Sequence, residues 1–166
     1  SARAALAASA ASAAAPAVLR GRHRLFAAST AEYSTRCVDL VQGSLVIDML
    51  GLLTLNAETR VRWGPGLDGL TDEDVERFRL SEIDVFHIAS GVGGRSTEQA
   101  YQNVLAFVGQ YNAVVANRPD VFVRIDSADD LASVHGSGRA GVLIGVQNSE
   151  HFRSPDDVET FHALGQ

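Results

Sequence analysis

One continuous apolar run near the end of the chain constrains the fold more than any other feature. Residues 142–146 include no polar side chain, which is the pattern of a strand buried on both faces of a parallel sheet. Polar residues follow at once, from Gln147 to His151. A helix start comes next, with Ser154 as N-cap and Pro155 at the first helical position. This order predicts one strand–loop–helix unit of an α/β barrel or a doubly wound sheet.

Similar units precede this run along the chain. Residues 44–50 and 83–89 are predicted to form buried strands, and residues 121–125 a short one. The longest predicted helix covers residues 97–116. Alternating strands and helices predict the α/β class with a parallel sheet. Four strands are too few to close an eight-stranded barrel, so the sheet is either small and open or part of a larger fold.

Local signals outside these units refine the picture. Residues 71–74 (Thr-Asp-Glu-Asp) form a capping box that opens a helix, whereas residues 51–69 are predicted to be irregular. Residues 30–42 are predicted to be a helix with Cys37 on its buried face. The glycine-rich loop at residues 90–94 could cradle a phosphate group, but its spacing matches no phosphate-binding motif, and a strand-to-helix turn is the favoured interpretation.

Composition excludes several classes of partner and site. The formal net charge is −6, which argues against a nucleic-acid groove or an anionic membrane surface as partner. The single cysteine permits neither an internal disulfide nor a cysteine-based zinc site. No apolar run has the length needed to span a bilayer.

The N-terminal residues 1–29 are predicted to be a separate Ala-rich segment. One interpretation is the remnant of an export signal, which would make the protein an exported or periplasmic one. The other is a helical arm packed on a neighbouring molecule, in which case a cytoplasmic protein is expected. Both interpretations remain open on the sequence alone.

Two stretches resemble the renal (membrane) dipeptidase family, whose members are zinc metallopeptidases built on a (β/α)8 barrel. They are VIDMLGLLTLN at residues 46–56 and GVLIGVQNSEHF at residues 141–152, and the register of residues 156–166 supports them. The resemblance covers residues 30–166. It implies that this part of the chain is the N-terminal part of a (β/α)8 TIM-like barrel, which is incomplete in this chain.

The resemblance also implies dipeptide hydrolysis by two zinc ions that share a bridging carboxylate and an activated water. In the family the first strand ends in Asp-Gly-His-Asn-Asp, whereas here Asp48 is followed by Leu50 and Leu52 at the two ligand positions. The family's bridging glutamate corresponds to Gln147. Leucine cannot coordinate a metal, and a neutral amide adds no charge between two dications. We therefore expect one zinc ion rather than two, with ligands mostly outside this chain.

Candidate site residues lie at the predicted carboxyl ends of the strands, where the loops of α/β folds carry the chemistry. Asp48 and Gln147 are the candidates for the metal site. The other candidates are expected to line the site or contact substrate: His87, Asn148, Glu150 and His151. For Asp48 a hydrogen-bonded structural acid, and for His87 a core histidine, remain open as alternatives. No residue can be assigned as catalytic.

The sequence thus predicts a dipeptidase-like hydrolase of dipeptides or related amides with an altered metal site, inactive as this chain alone. The alternative is a non-catalytic barrel that serves as a binding or assembly subunit. Because a half-barrel would expose edge strands and apolar interior, we expect the rest of the barrel as a partner, in a second fragment or chain. A homo-oligomer also remains open.

Overall fold

The chain divides into two units, Ser1–Leu45 and Val46–Gln166, in a computed structural model that describes residues 22–23 and 32–166. In the first unit, β1 (Arg22–His23) pairs antiparallel with β2 (Tyr33–Ser34), and α1 (Thr35–Gln42) follows. Apart from β1, the predicted Ala-rich segment lies outside the described residues and remains a prediction.

Helix α1 is shorter than predicted, and the burial of Cys37 differs from the prediction. Its N-cap is Ser34, whose hydroxyl accepts from the backbone N–H of Cys37 at 3.3 Å. Because the helix starts there, Tyr33 belongs to β2 and not to the helix predicted over residues 30–42. The expectation that Cys37 is buried is wrong, since this cysteine is exposed.

The second unit is built on a parallel sheet in the order β3-β4-β6-β5. Its strands are β3 (Ile47–Asp48), β4 (Val85–Ser90), β5 (Phe122–Arg124) and β6 (Ala140–Val146). Its helices are α2 (Ala57–Trp63), α3 (Asp72–Leu80), α4 (Thr97–Asn117), α5 (Ala128–Val134) and α6 (Pro155–Ala163). The predicted α/β class with a parallel sheet is confirmed. None of the described helices has the length and apolar character needed to cross a membrane.

The strand order departs from that of a barrel. Strands β4 and β6 pair over six residues, from Val85 opposite Gly141 to Ser90 opposite Val146. Strand β5 pairs only with residues 140–142 of β6 and lies outside it. In a (β/α)8 barrel each strand lies next to the following one, and the sheet closes. Among the described residues the sheet is open, with β3 and β5 as its edges, so the barrel remains a proposal.

The two faces of the sheet are covered unequally. Alternate residues of β4 and β6 point to opposite faces, and in-register partners share a face. The main core lies between one face and the helices α3, α4 and α6, and contains Phe86, Ile88, Val142, Ile144, Val75, Phe78, Val104, Val108 and Phe161. A smaller cluster on the other face contains Val85, Ile125 and Val134. The side chains of His87 and Leu143 belong to this second face.

Two predicted segments are wrong in their extent. The strand expected over residues 44–50 is limited to Ile47–Asp48. Before it, the Asp84 carboxylate accepts from the backbone N–H of Val46 at 2.8 Å, and after it the Asp48 side chain accepts from the backbone N–H of Leu50 at 3.2 Å. Residues 51–69 include helix α2, which was not expected. Its N-cap is Asn56, whose side-chain oxygen accepts from the Thr59 backbone N–H at 2.9 Å.

Capping explains where the other helices begin. The expected capping box at Thr71 and Asp74 opens α3, and Ser154 is the N-cap of α6. The Ser154 side chain makes no capping hydrogen bond, however. The Asp157 carboxylate accepts from the Arg153 backbone N–H at 2.8 Å instead. The start of α6 is therefore fixed by Asp157.

A buried carboxylate joins α2 to α3. Asp74 is 2% exposed, and its oxygens accept from both terminal nitrogens of Arg62 at 2.7 and 2.8 Å. They also accept from Trp63 Nε1 at 2.9 Å and from the backbone N–H and hydroxyl of Thr71 at 3.0 and 2.9 Å. These hydrogen bonds, led by those from Arg62, hold the pKa of Asp74 well below its usual range.

Replacing this carboxylate should destabilise the protein. We expect Asp74→Asn to lower the free energy of unfolding by about 2 kcal/mol. The charge-assisted hydrogen bonds are lost, and the NH2 group of the new asparagine points at groups that are themselves hydrogen-bond donors. Urea denaturation followed by circular dichroism measures the change. The matched control is Glu73→Gln, which breaks an exposed pair with Arg77 and should cost less than about 0.5 kcal/mol. Equal effects of the two substitutions would contradict the assigned role of Asp74.

The same carboxylate should make stability depend on pH. Since the folded state lowers the pKa of Asp74, its contribution is complete above the unfolded-state pKa of about 3.9 and is lost as pH falls towards the folded-state value. The stability difference between the wild-type protein and Asp74→Asn should therefore shrink from about pH 5 to about pH 2. Urea titrations at several pH values test this, and a constant difference would disprove it.

Candidate functional site

Gln147 lies where β4 and β6 end side by side. Ser90 pairs with Val146, so Gln147 follows directly beside the loop that leaves β4. Its amide Nε2 donates to the Ala89 carbonyl oxygen at 3.4 Å, and a Cβ atom at Gly91 would lie 3.3 Å from its Oε1. The side chain is exposed at this end of the sheet. Its amide can therefore both donate to and accept from a bound molecule.

His87 is held over the face of β6. Its Nδ1 lies 2.6 Å from the Met49 carbonyl oxygen, which can only accept, so Nδ1 carries the proton. The Nε2 atom is directed at Gly145, where an added Cβ would collide with it. Gly145 thus leaves the space that the imidazole occupies.

Asp48 closes a turn at the end of β3. Its Oδ1 accepts from the backbone N–H of Leu50 at 3.2 Å, and its carboxylate lies against Gly51. Its register partner is Phe86, which places it on the face of the sheet opposite to His87. The structure therefore does not bring Asp48 and His87 onto one face, and the contacts of Asp48 are those of a structural acid.

The loop after β4 is packed tightly against its neighbours. Asn103 of α4 donates to the Gly93 carbonyl oxygen at 2.7 Å, and a Cβ atom at Gly93 would lie 3.1 Å from Glu150 Oε2. At Gly94 a Cβ would lie 2.5 Å from the Ala100 backbone nitrogen. These glycines allow close approach between the loop and α4, which supports the interpretation as a strand-to-helix turn. The role of Asn103 had no signal in the sequence.

Glu150 and His151 point in different directions. Glu150 is exposed beside the glycine-rich loop, whereas His151 is 0% exposed. The His151 ring packs at 4.0 Å from the Phe152 ring and edge-on at 4.8 Å to the Phe161 ring. Burial lowers the pKa of His151, which favours a neutral imidazole. The structure places His151 in the core, away from the exposed end of the sheet, so the two neighbours do not form a ligand pair.

Asn148 is half-buried between these positions. Its Oδ1 and both ring nitrogens of His151 are buried and form no hydrogen bond within the described part of the chain. Among the described residues, no group of three or more histidine, cysteine or acidic side chains could hold a metal ion. The predicted site residues do not form a metal centre by themselves.

Arg153 fixes the loop that carries these residues. Its Nε and one terminal nitrogen each lie 3.1 Å from Asp157, and the other terminal nitrogen lies 3.0 Å from Glu98 of α4. The guanidinium group also stacks 3.4 Å above the Tyr101 ring. This ion pair lowers the pKa of Asp157 to about 2. The contacts join the start of α6 to α4, and no local sequence pattern indicated them.

Comparison with known proteins identifies the fold. An amidohydrolase from Pseudomonas aeruginosa superimposes with a TM-score of 0.53 at 22% sequence identity, over 77% of this chain and 34% of that one. This chain shares the fold of part of that neighbour. The predicted α/β class is thus supported, and the chain spans about a third of the length of that neighbour. No protein-family model and no curated protein matches the sequence.

The packing of His87 on Gly145 can be tested by substitution. We expect Gly145→Ala to lower the free energy of unfolding by about 1–3 kcal/mol, because the new methyl group overlaps the imidazole. Adding His87→Ala should restore part of that loss, since the two positions are in contact. Urea denaturation measures both effects.

The control for this prediction is Gly109→Ala on α4. A Cβ atom there meets nothing within 4 Å, so the change should leave stability equal or raise it by about 0.5–1 kcal/mol. A Gly145→Ala protein as stable as the wild type, or one not improved by His87→Ala, would contradict the described contact.

Proposed function

We propose that this chain is the N-terminal part of a barrel hydrolase of dipeptidase type that acts on dipeptides or related amides. The observation that carries the proposal is the pairing of β4 and β6, which places His87 and Gln147 on one face of the sheet, with Gln147 directly after the end of β6. The amidohydrolase-like fold supports it, because such sheets hold their polar binding groups at the carboxyl ends of the strands.

In this proposal the side chains of the chain bind and orient substrate. The Gln147 amide would donate to a substrate carbonyl and accept from a substrate N–H. The Nε2 atom of His87 would form a hydrogen bond with the substrate. The exposed Glu150 carboxylate would attract the positively charged amino group that every dipeptide carries. Asn148 would complete the polar lining, whereas the burial of His151 assigns it to the support of the loop.

A zinc centre does not fit the side chains described. Leu50 and Leu52 cannot ligate a metal, Gln147 carries no charge, and the described residues include no cluster of ligands. We therefore derive no reaction step through a metal. The single zinc ion of the proposal would take its ligands mostly from the remaining part of the barrel, supplied by a second fragment or chain. That partner, like the compartment of the protein, remains a prediction.

A non-catalytic role is the second candidate, and a specific observation favours it. Met49, Leu50 and Leu55 are 60%, 66% and 84% exposed, and they follow β3 at the end of the sheet where the metal ligands of the resembled family would begin. Exposed apolar side chains at that place suit contact with another polypeptide. Under this alternative the barrel serves as a binding or assembly subunit.

One experiment separates the two candidates. The tagged chain is purified under native conditions, the intact mass of each co-purifying polypeptide is measured, and dipeptide hydrolysis is assayed on the assembly with added zinc. We expect a second polypeptide and turnover, and we expect Gln147→Ala to lower kcat/KM at least tenfold through lost substrate orientation, roughly the 1.4 kcal/mol of one hydrogen bond.

The control variant is Gln102→Ala, on the exposed side of α4, which should leave kcat/KM unchanged. An assembly that contains the second polypeptide but hydrolyses no dipeptide would support the non-catalytic subunit. An equal kcat/KM of the Gln147→Ala and Gln102→Ala variants would show that Gln147 does not contribute to the site.

A further inference from the structure

A groove among the helices of the second unit has no role in the proposed hydrolysis. Its volume is about 370 Å³, which is within the range of small-molecule sites. It lies between α2, the turn after α2, and α4, rather than at the carboxyl ends of β4 and β6. Its apolar wall includes Leu53, Val61, Trp63 and Leu67. Its polar lining consists of Thr54, Arg60, Gln110 and Tyr111.

Hydrogen bonds hold the walls of the groove in place. The Trp63 indole donates to the buried Asp74 carboxylate at 2.9 Å, so its ring position is fixed by the contact between α2 and α3. On the opposite side, Gln110 of α4 donates to the Pro65 carbonyl oxygen at 2.7 Å. The groove is therefore largely formed before any ligand arrives, which reduces the entropic cost of binding.

The polar groups of the groove carry one positive charge. Arg60 forms no side-chain hydrogen bond or ion pair within the described residues, in contrast to Arg62 two positions later, which is bound to Asp74. Burial raises the pKa of Tyr111 and the nearby charge of Arg60 opposes this rise, so the phenol is protonated near neutral pH. The groove thus presents one cation, Arg60, together with the Tyr111 hydroxyl beside an apolar surface.

We propose that this groove binds a small amphiphilic monocarboxylate, such as a medium-chain fatty acid. Its carboxylate pairs with Arg60 and accepts from the Tyr111 hydroxyl, while its apolar body packs against Trp63 and Leu53. A single cation matches a single negative charge, and the apolar wall disfavours a compact, strongly hydrated anion such as phosphate. The site is separate from the one proposed for hydrolysis and does not depend on it.

The chain carries its own reporter for this site. Trp63 is the sole tryptophan of the 166 residues and lines the groove, so intrinsic fluorescence reports on its occupancy. The whole chain is titrated with octanoate and, as a neutral probe of equal length, with 1-octanol. We expect a saturable change with octanoate at concentrations where octanol gives a much weaker response.

Two arginine variants test the charge. Arg60→Gln should raise the Kd for octanoate at least tenfold and leave the response to octanol within twofold. Arg95→Gln removes an exposed arginine outside the groove and should change neither titration. Circular dichroism of each variant confirms that it is folded.

Several results would overturn the proposal. They are the absence of a saturable octanoate response, equal affinity for octanol, or an equal octanoate Kd in the Arg60→Gln and Arg95→Gln proteins. A Trp63 emission that shifts with protein concentration, without ligand, would show that a second copy of the chain occupies the groove instead.

Discussion

The parallel ladder between β4 and β6 is the contact on which the second unit depends. Its six in-register pairs assign Phe86 and Ile88, with Val142 and Ile144, to the face covered by helices, and His87 to the other face. A slip of one residue in one strand would exchange the faces of all its side chains. The same register that buries the core therefore places His87 and Gln147 on the opposite face of the sheet. Core packing and the candidate site are specified together.

Much of this arrangement could be predicted from local sequence. The apolar run of β6, the capping signals of Thr71 and Ser154, and the long amphipathic α4 each depend on residues close together in the chain. Long-range contacts were not predictable in this way. At the start of β3, the backbone N–H of Val46 donates to the Asp84 carboxylate, which also lies 3.1 Å from His135 Nδ1 at the end of α5. The position of β5 outside β6 likewise has no local signal.

The candidate site shows the same division. Gln147 and Glu150 are exposed at the end of the sheet because they directly follow a strand whose end could be read from the sequence. His151 is one residue further on and was assigned to the site on the same grounds, but Phe161 from α6 and the adjacent Phe152 enclose it. The packing of α6 therefore decides that His151 is buried while Glu150 is exposed. The sequence of the loop alone does not indicate how α6 packs.

The strand order also constrains how the chain can reach its native state. Strand β5 is synthesised before β6, yet it lies outside β6 at the edge of the sheet. During synthesis on the ribosome, the edge of β4 that pairs with β6 therefore stays unpaired while α4, β5 and α5 emerge. Strand β6 must then insert between β4 and β5, which have already been synthesised. Sheets assembled from such distant partners form slowly and expose their edges meanwhile. We expect the nascent chain to be most vulnerable to aggregation and to depend most on chaperones during this interval.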